Sequence, residues 1–134
     1  MAKLQTLSVQ TDRREVLVDI TRAVTEAIAT TGVTDGVAYV YCPHTTGGIT
    51  IQESADPDVA LDISNTLSRL VPHAGGYRHA EGNADAHVKA ALVGSSDVIP
   101  VEDGHPCLGT WQGIFFCEFD GPRRRKVHVK VLAG

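Results

Sequence analysis

Three of the six histidines in this chain stand where side chains commonly do chemistry. His44 follows an apolar run and precedes Thr45, Thr46 and two glycines. Such a loop gathers a ring nitrogen, two hydroxyls and open backbone N–H groups in a small volume, which suits a metal ion or an oxyanion. The alternative is a tight hairpin whose threonines only satisfy the turn.

His79 lies in an irregular stretch, and His87 lies one turn into a predicted helix. Their separation is too long for the i, i+4 zinc pair of a helical HExxH motif. Gly82 lets the chain reverse, so the loop histidine can meet the helical one. The alternative for His87 is an ordinary, partly buried histidine.

The other three histidines are interpreted as lying outside the site. His128 shares a strand face with lysines and points to solvent. His105 sits in a Gly-His-Pro turn, and His73 follows a proline at a helix end. Both are typical of surface residues.

Carboxylates near the histidines extend the predicted site. Glu53 ends the strand that begins at the Thr-Gly loop, and Asp62 lies at the border of the inward face of its helix. Such groups ligate metals, orient histidines or act as general acid or base. For Asp85, in the first turn of the helix that carries His87, the preferred interpretation is a charge favourable to the helix dipole.

The elements that must position these residues follow from periodicity and turn signals. Three helices are predicted: one through Ile20 to Ile28 that ends at Gly32, one opened by Asp56-Pro57, and one from Asn83 to Val93. The third helix is expected to bury Val88, Ala91 and Leu92. The predicted strands are 3–10, 37–42 (buried on both faces), 49–52, an edge strand 98–101, and a hairpin of 114–119 with 126–132. This mixture predicts a compact α+β domain over 1–134, with a mixed sheet packed against three helices.

Composition limits the possible partners. A net charge of −4 argues against a general nucleic-acid or membrane-surface binder. The basic run 123–126 is interpreted as a solvated strand end, in which a single arginine can still grip one anion. Three cysteines without a CxxC pair, all expected to be buried, and no signal-like leader predict a cytoplasmic protein.

Motifs spread over nearly the whole chain resemble the YjbQ-like family, often labelled secondary thiamine-phosphate synthase. They occur in family order: Pro43–Thr46, Ile49–Glu53, Asp58–Asp62, Tyr77–His79, Asn83–His87, Ile99–Val101 with Gly104, Leu108–Gln112, Glu118, Asp120–Arg123 and Arg125. One departure is Gly47-Gly48, where small alanines are commoner in the family.

The resemblance implies a homotrimer with its site near the subunit boundary. It implies His44, His79 and His87 as ligands of a divalent metal, zinc or else magnesium or manganese, or as contacts of an anion. Glu53 and Asp62 would line the site, and His44 would join them in catalysis. The implied anion contacts are Thr45, Thr46, Gln112, Arg123 and Arg125.

The resemblance also implies an activity. Thiamine-phosphate synthesis joins a pyrimidine pyrophosphate to a thiazole phosphate and expels pyrophosphate, which requires stabilisation of the departing anion by metal or arginine. We therefore expect a metal-assisted transferase acting on a phosphorylated small molecule. The alternatives are a metal-dependent phosphate-ester hydrolase and a non-catalytic trimeric binder of a metal or anion.

Overall fold

Eight strands and three helices follow one another along residues 2–134, the part of the chain that this computed structural model describes. The strands are β1 Gln5–Gln10, β2 Val16–Asp19, β3 Asp35–Tyr41, β4 Gly47–Glu53, β5 Ser96–Glu102, β6 His105–Pro106, β7 Gln112–Glu118 and β8 Arg124–Ala133. The helices are α1 Thr21–Thr30, α2 Pro57–Leu70 and α3 Ala84–Val93. The α+β class is confirmed.

The strands form two antiparallel sheets rather than the one mixed sheet expected. One sheet has the order β1-β8-β3-β5-β6, and the other has the order β2-β7-β4. Since side chains alternate along a strand, β7 serves two cores. Ile114 and Phe116 pack with the five-stranded sheet and α1, whereas Phe115 and Cys117 pack against α2 and α3. The three-stranded sheet is therefore the middle layer.

The predicted hairpin of β7 with β8 is wrong. β7 pairs with β2 and β4, whereas β8 pairs with β1 and β3. The physical reason is burial: β7 is covered on both faces, while β8 alternates buried valines with exposed Lys126 and Lys130. A strand with a solvated face does not fit the middle layer, so the chain crosses from one sheet to the other between them.

The predicted buried face of α3 is also wrong. Val88 and Leu92 are 41% and 64% exposed, and Ala91 is exposed as well. The inward face instead carries Asp85 and Lys89, whose side chains are fully buried. Burial of this face is possible because the two charges pair with each other and with further charged side chains.

Smaller differences concern single positions. The outer face of β3 is open, because Tyr39 and Tyr41 remain 42% and 46% exposed. Cys107 is exposed, whereas Cys42 and Cys117 are buried as predicted, and burial raises the pKa of Cys117 to about 12. Asp56 caps α2 as expected. No helix within residues 2–134 is long and apolar enough to cross a membrane.

Candidate functional site

A polar cavity of about 440 Å³ opens where three connections of the fold meet. The β3–β4 connection, the start of α3 and the β7–β8 connection each contribute side chains to it. We call it the arginine pocket; its walls are Pro43, His44, Thr45, Thr46, Glu81, Asn83, His87, Asp120, Arg123 and Arg125. Six of the residues predicted for the site therefore share one pocket.

A buried ion pair fixes the guanidinium at the back of the arginine pocket. Glu118 is fully buried and accepts five hydrogen bonds. Arg125 donates two of them, through Nε at 2.8 Å and through Nη2. The others come from the Thr11 hydroxyl and from the backbone N–H groups of Phe119 and Asp120. This carboxylate holds the arginine in one orientation.

The same guanidinium reaches the loop of the first histidine. Arg125 Nη2 donates to the Thr46 hydroxyl at 2.9 Å, which leaves that hydroxyl's own proton for another acceptor. No hydrogen bond found within residues 2–134 uses Arg125 Nη1. Nη1, the Thr46 hydroxyl and the exposed Thr45 hydroxyl are thus donors available to an anion.

A second arginine closes the pocket from its rim. Arg123 donates through Nε to the Asp120 carbonyl and through Nη2 to its carboxylate, at 2.8 and 3.2 Å. Asn83 donates to the same carboxylate at 2.9 Å. Its side chain therefore does not cap α3 as predicted, and its Oδ1 is the one buried side-chain polar atom without a partner among residues 2–134.

The ring of His44 is hydrogen-bonded to strand β8. Its Nε2 accepts a hydrogen bond from the backbone N–H of Lys126 at 2.9 Å. Burial, followed by the nearby charge of Arg125, lowers the pKa of His44 below its usual value near 6.5. The imidazole is accordingly neutral at physiological pH.

The other two predicted histidines meet beside the arginine pocket. The rings of His79 and His87 contact each other edge to face, with their centroids 5.3 Å apart. They line a separate cavity of about 380 Å³ between Tyr77 and Val88, which we call the histidine cavity. His79 Nε2 also lies 3.2 Å from a carboxylate oxygen of Glu81. Because His87 lines both cavities, it forms the wall between them.

Three predicted site residues lie elsewhere in this chain. Glu53 is at the far end of β4 from the His44 loop, about 20 Å along the strand at roughly 3.3 Å per residue. It lines a third cavity, of about 420 Å³, against α2. Gln112 pairs with Glu53 in the sheet, and its side chain accepts from the Gly109 N–H. Asp62 is exposed on α2 and lines neither the arginine pocket nor the histidine cavity.

The three histidines of one chain do not fit the metal centre that the resemblance implies. His44 belongs to the arginine pocket and already uses Nε2, whereas His79 lines only the histidine cavity and His87 lies in the wall between the two. No group of three or more His, Cys, Asp or Glu side chains within residues 2–134 is arranged to hold a metal ion. The arginine pocket, in contrast, is lined with hydrogen-bond donors suited to an anion.

A buried charge network supports the start of α3, and the sequence analysis missed it. Lys89 pairs with Asp85 at 2.7 Å and with Glu15 before β2. Arg14 donates to both oxygens of Asp85, at 3.0 and 3.2 Å. Burial alone would raise the pKa of Asp85, but the hydrogen bonds from Arg14 and Lys89 lower it to about 2. The carboxylate thus stays ionised and fixes the helix that carries His87.

Glu118 was also missed as a functional residue, although the sequence carries a signal for it. It interrupts the apolar run 114–119 of a strand buried on both faces. A carboxylate at such a position must be paired or hydrogen-bonded, and Arg125 is a cation close to it in the chain. What the pattern does not supply is the crossing between sheets that brings the two together.

Known proteins are similar in sequence to this chain over nearly its whole length. The chain is 56% identical to the UPF0047 protein MJ1081 of Methanocaldococcus jannaschii over 92% of this chain and 90% of that protein. It is 49% identical to the UPF0047 protein YugU of Bacillus subtilis, over 96% and 98% of the two chains.

Solved structures agree with this likeness. A YjbQ/UPF0047-family protein of Clostridium acetobutylicum superposes with a TM-score of 0.93 at 53% identity, covering 96% of this chain and 99% of that one. A YbjQ-like protein of unknown function from Sulfolobus solfataricus gives a TM-score of 0.95 at 30% identity, with coverages of 100% and 99%. The sequence profile described as UPF0047 protein YjbQ-like matches residues 5–134. The chain therefore belongs to the UPF0047 (YjbQ-like) family.

Proposed function

We infer that this protein is an enzyme that binds the phosphate or pyrophosphate group of a small molecule in the arginine pocket. The observation that carries the inference is the Arg125 guanidinium, held by Glu118 beside the Thr46 hydroxyl. A cation fixed before the ligand arrives needs little reorganisation on binding, which is the property of sites that stabilise anionic groups. His87 and Arg123 complete the walls of this pocket.

The reaction we propose is transfer with displacement of pyrophosphate, as in thiamine-phosphate synthesis. The bond between carbon and the pyrophosphate oxygen breaks, and a bond from that carbon to the ring nitrogen of the acceptor forms. Negative charge then accumulates on the departing pyrophosphate. Arg125 and Thr46 donate hydrogen bonds to this group, and Arg123 stabilises its charge from the rim of the pocket. Hydrolysis of a phosphate ester uses the same anion contacts, with water in place of the organic acceptor.

Binding of inorganic pyrophosphate tests this proposal directly. We expect Arg123→Gln to weaken the binding of pyrophosphate by about 10-fold or more, since a hydrogen bond to a charged group contributes about 1.5–3 kcal/mol. The matched control is Arg22→Gln, because Arg22 lies on α1 and is paired only with Glu26 in the described chain. Isothermal titration calorimetry of both variants and wild type measures the difference.

That titration, combined with assays of turnover, separates the candidate functions. Binding that depends on Arg123, together with turnover of a pyrimidine pyrophosphate and a thiazole phosphate, supports the transferase. Release of phosphate without an acceptor supports the hydrolase, and binding without turnover supports a non-catalytic anion binder. Equal affinity in wild type and Arg123→Gln would contradict the proposed pocket.

A divalent metal, zinc above all, remains part of the proposal at the His79–His87 pair. Two imidazoles in edge contact offer two ligands beside the pocket. If a metal is held there, elemental analysis of tag-free protein will find about one equivalent of zinc, magnesium or manganese in wild type and none in His87→Ala. His128→Ala is the control, because its ring is engaged with Thr6 at 2.9 Å on the five-stranded sheet. Metal-free wild type after zinc is added back would refute the metal site.

We also propose that the protein assembles as a homotrimer. Apolar side chains that a single chain leaves open support the proposal: Trp111 is 63% exposed and Leu61 is 53% exposed. Leu61 borders the cavity that holds Glu53. In such an assembly Glu53, Asp62 and Gln112 would approach a site through a neighbouring subunit rather than within their own chain.

A further inference from the structure

The hydrogen bond between Lys126 and His44 determines which ring nitrogen carries the proton. The backbone N–H of Lys126 donates to His44 Nε2, so Nε2 must offer a lone pair. A neutral imidazole has one N–H, which is therefore on Nδ1. The two nitrogens of this ring thus have different tasks.

The fold gives this hydrogen bond a structural reason to persist. The last pair of β3 with β8 joins Tyr41 to His128. Lys126 lies two residues before His128 in β8, opposite the position of Pro43, where β3 has already ended. The His44 ring therefore supplies the acceptor that a continuing strand would have supplied. This hydrogen bond is exposed, so we expect a net contribution of about 0.5–1.5 kcal/mol from it.

Two other roles of His44 conflict with this contact. A metal ion on Nδ1 requires the ring proton to move to Nε2, where it would face the N–H of Lys126. A proton accepted on Nε2 by a general base would meet the same N–H. Each role therefore requires this end of the sheet to break its hydrogen bond.

We propose that His44 is a neutral hydrogen-bond donor that binds an oxyanion of the ligand through Nδ1–H, and is neither a metal ligand nor a base. The proposal rests on the function inferred above insofar as the ligand is a phosphate or pyrophosphate. No hydrogen bond within residues 2–134 uses Nδ1, and His44 lines the arginine pocket with Thr46 and Arg125. His44 presents only a hydrogen-bond donor to the pocket, beside a fixed guanidinium that also only donates. Such a pair favours a group that accepts hydrogen bonds, such as a phosphate oxygen, over a protonated amine.

The first test determines the tautomer of His44 without requiring turnover. Long-range nitrogen–proton correlation NMR of wild-type protein distinguishes the two neutral forms of each histidine ring. We expect the Nδ1–H form for His44 at neutral pH, unchanged when zinc is added and with Nδ1–H shifted when pyrophosphate is added. The Nε2–H form, or a signal displaced by zinc, would overturn this inference alone.

Two substitutions separate the two nitrogens. In His44→Asn the side-chain amide lies near the former Nδ1 and still donates, but cannot reach the Lys126 N–H. In His44→Gln the amide oxygen lies near the former Nε2 and accepts from Lys126, but no donor remains at the Nδ1 position. We expect His44→Gln to bind pyrophosphate about 10-fold or more weakly than His44→Asn. Protection of the Lys126 amide from hydrogen exchange should follow the opposite order.

The outcomes distinguish this inference from the function on which it rests. Wild-type protein that binds neither phosphate nor pyrophosphate would overturn the proposed function and the donor role together. Wild-type binding with equal losses in His44→Asn and His44→Gln would overturn the donor role and leave the arginine pocket standing. The predicted order in both measurements supports both.

Discussion

Replacing Glu118 with alanine is expected to lower the free energy of unfolding by about 3–5 kcal/mol and to abolish pyrophosphate binding. Removing one partner of a buried ion pair leaves the other charge uncompensated, and losses of this size are typical. Arg125 is only 4% exposed, so water compensates little for the lost carboxylate. Urea denaturation at neutral pH, with calorimetric titration of pyrophosphate, measures both effects.

An exposed pair offers the matched control for Glu118. The side chains of Arg22 and Glu26 form an ion pair on α1 at 3.2 Å, with 92% and 68% of their surfaces exposed. Glu26→Ala should change the unfolding free energy by about 0.5 kcal/mol or less, because water screens such pairs. A loss below about 1 kcal/mol in Glu118→Ala would mean that the buried pair contributes little to this fold.

A double variant separates the structural role of the pair from its role in binding. Glu118→Leu with Arg125→Leu removes both charges, and apolar replacement of a buried pair is often neutral or stabilising. We expect this variant to recover most of the stability lost in Glu118→Ala while still failing to bind pyrophosphate. Recovery of binding as well would exclude Arg125 as the anion contact.

The difference between predicted and observed α3 shows what hydrophobic patterns leave out. Ala84, Ala86 and Ala90 mark the inward face only faintly, because alanine is common on either side of a helix. Val88 and Leu92 were therefore predicted to be buried because they are large and apolar, although they lie on the exposed side of the helix. The buried face is defined by Asp85 and Lys89, whose partners Arg14 and Glu15 lie more than 70 positions away in the chain. Sequence periodicity carries no information about such partners.

The site shows a related limit. His44, Thr45 and Thr46 were identified from a single loop, where neighbours in the chain are also neighbours in space. Glu53 was expected near His44 because the two are close in sequence, but an extended strand carries its ends apart. The pairing of His79 with His87 was predicted from a glycine that lets the chain reverse. The two rings do contact each other, with their centroids 5.3 Å apart. Local geometry was therefore predictable wherever the chain turns, and misjudged where it runs straight.

The basic run 123–126 was predicted only in part. The basic run 123–126 was interpreted as a solvated strand end, and this holds for Arg124 and Lys126, which are exposed. Arg125 is buried because alternation along β8 turns every second residue inward. The alternation is visible in the valines that follow, and extending it two residues back from Val127 predicts that Arg125 points inward.

The second large effect concerns Asp85 beneath the start of α3. Asp85→Asn is expected to lower the free energy of unfolding at neutral pH by about 3–5 kcal/mol, because Lys89 is fully buried and keeps only Glu15 as a charged partner. Binding of pyrophosphate should weaken with it, since Asp85 fixes the helix that positions His87. Thermal and urea denaturation measure the first effect, and calorimetry the second.

The pH dependence of stability identifies the same carboxylate. The pKa of Asp85 is about 2 in the folded protein, against 3.8 for an unperturbed aspartate. The contribution of Asp85 to the stability of the fold is therefore complete above pH 3.8 and is lost as the pH falls towards 2. The linked free energy is about 2 kcal/mol. Asp85→Asn should lack this part of the acid sensitivity, whereas Asp12→Asn, at an exposed pair with Arg13, should keep it. If Asp85→Asn loses stability in acid as steeply as wild type, another carboxylate is responsible for the acid sensitivity, and the network beneath α3 is held mainly by Glu15 and Lys89.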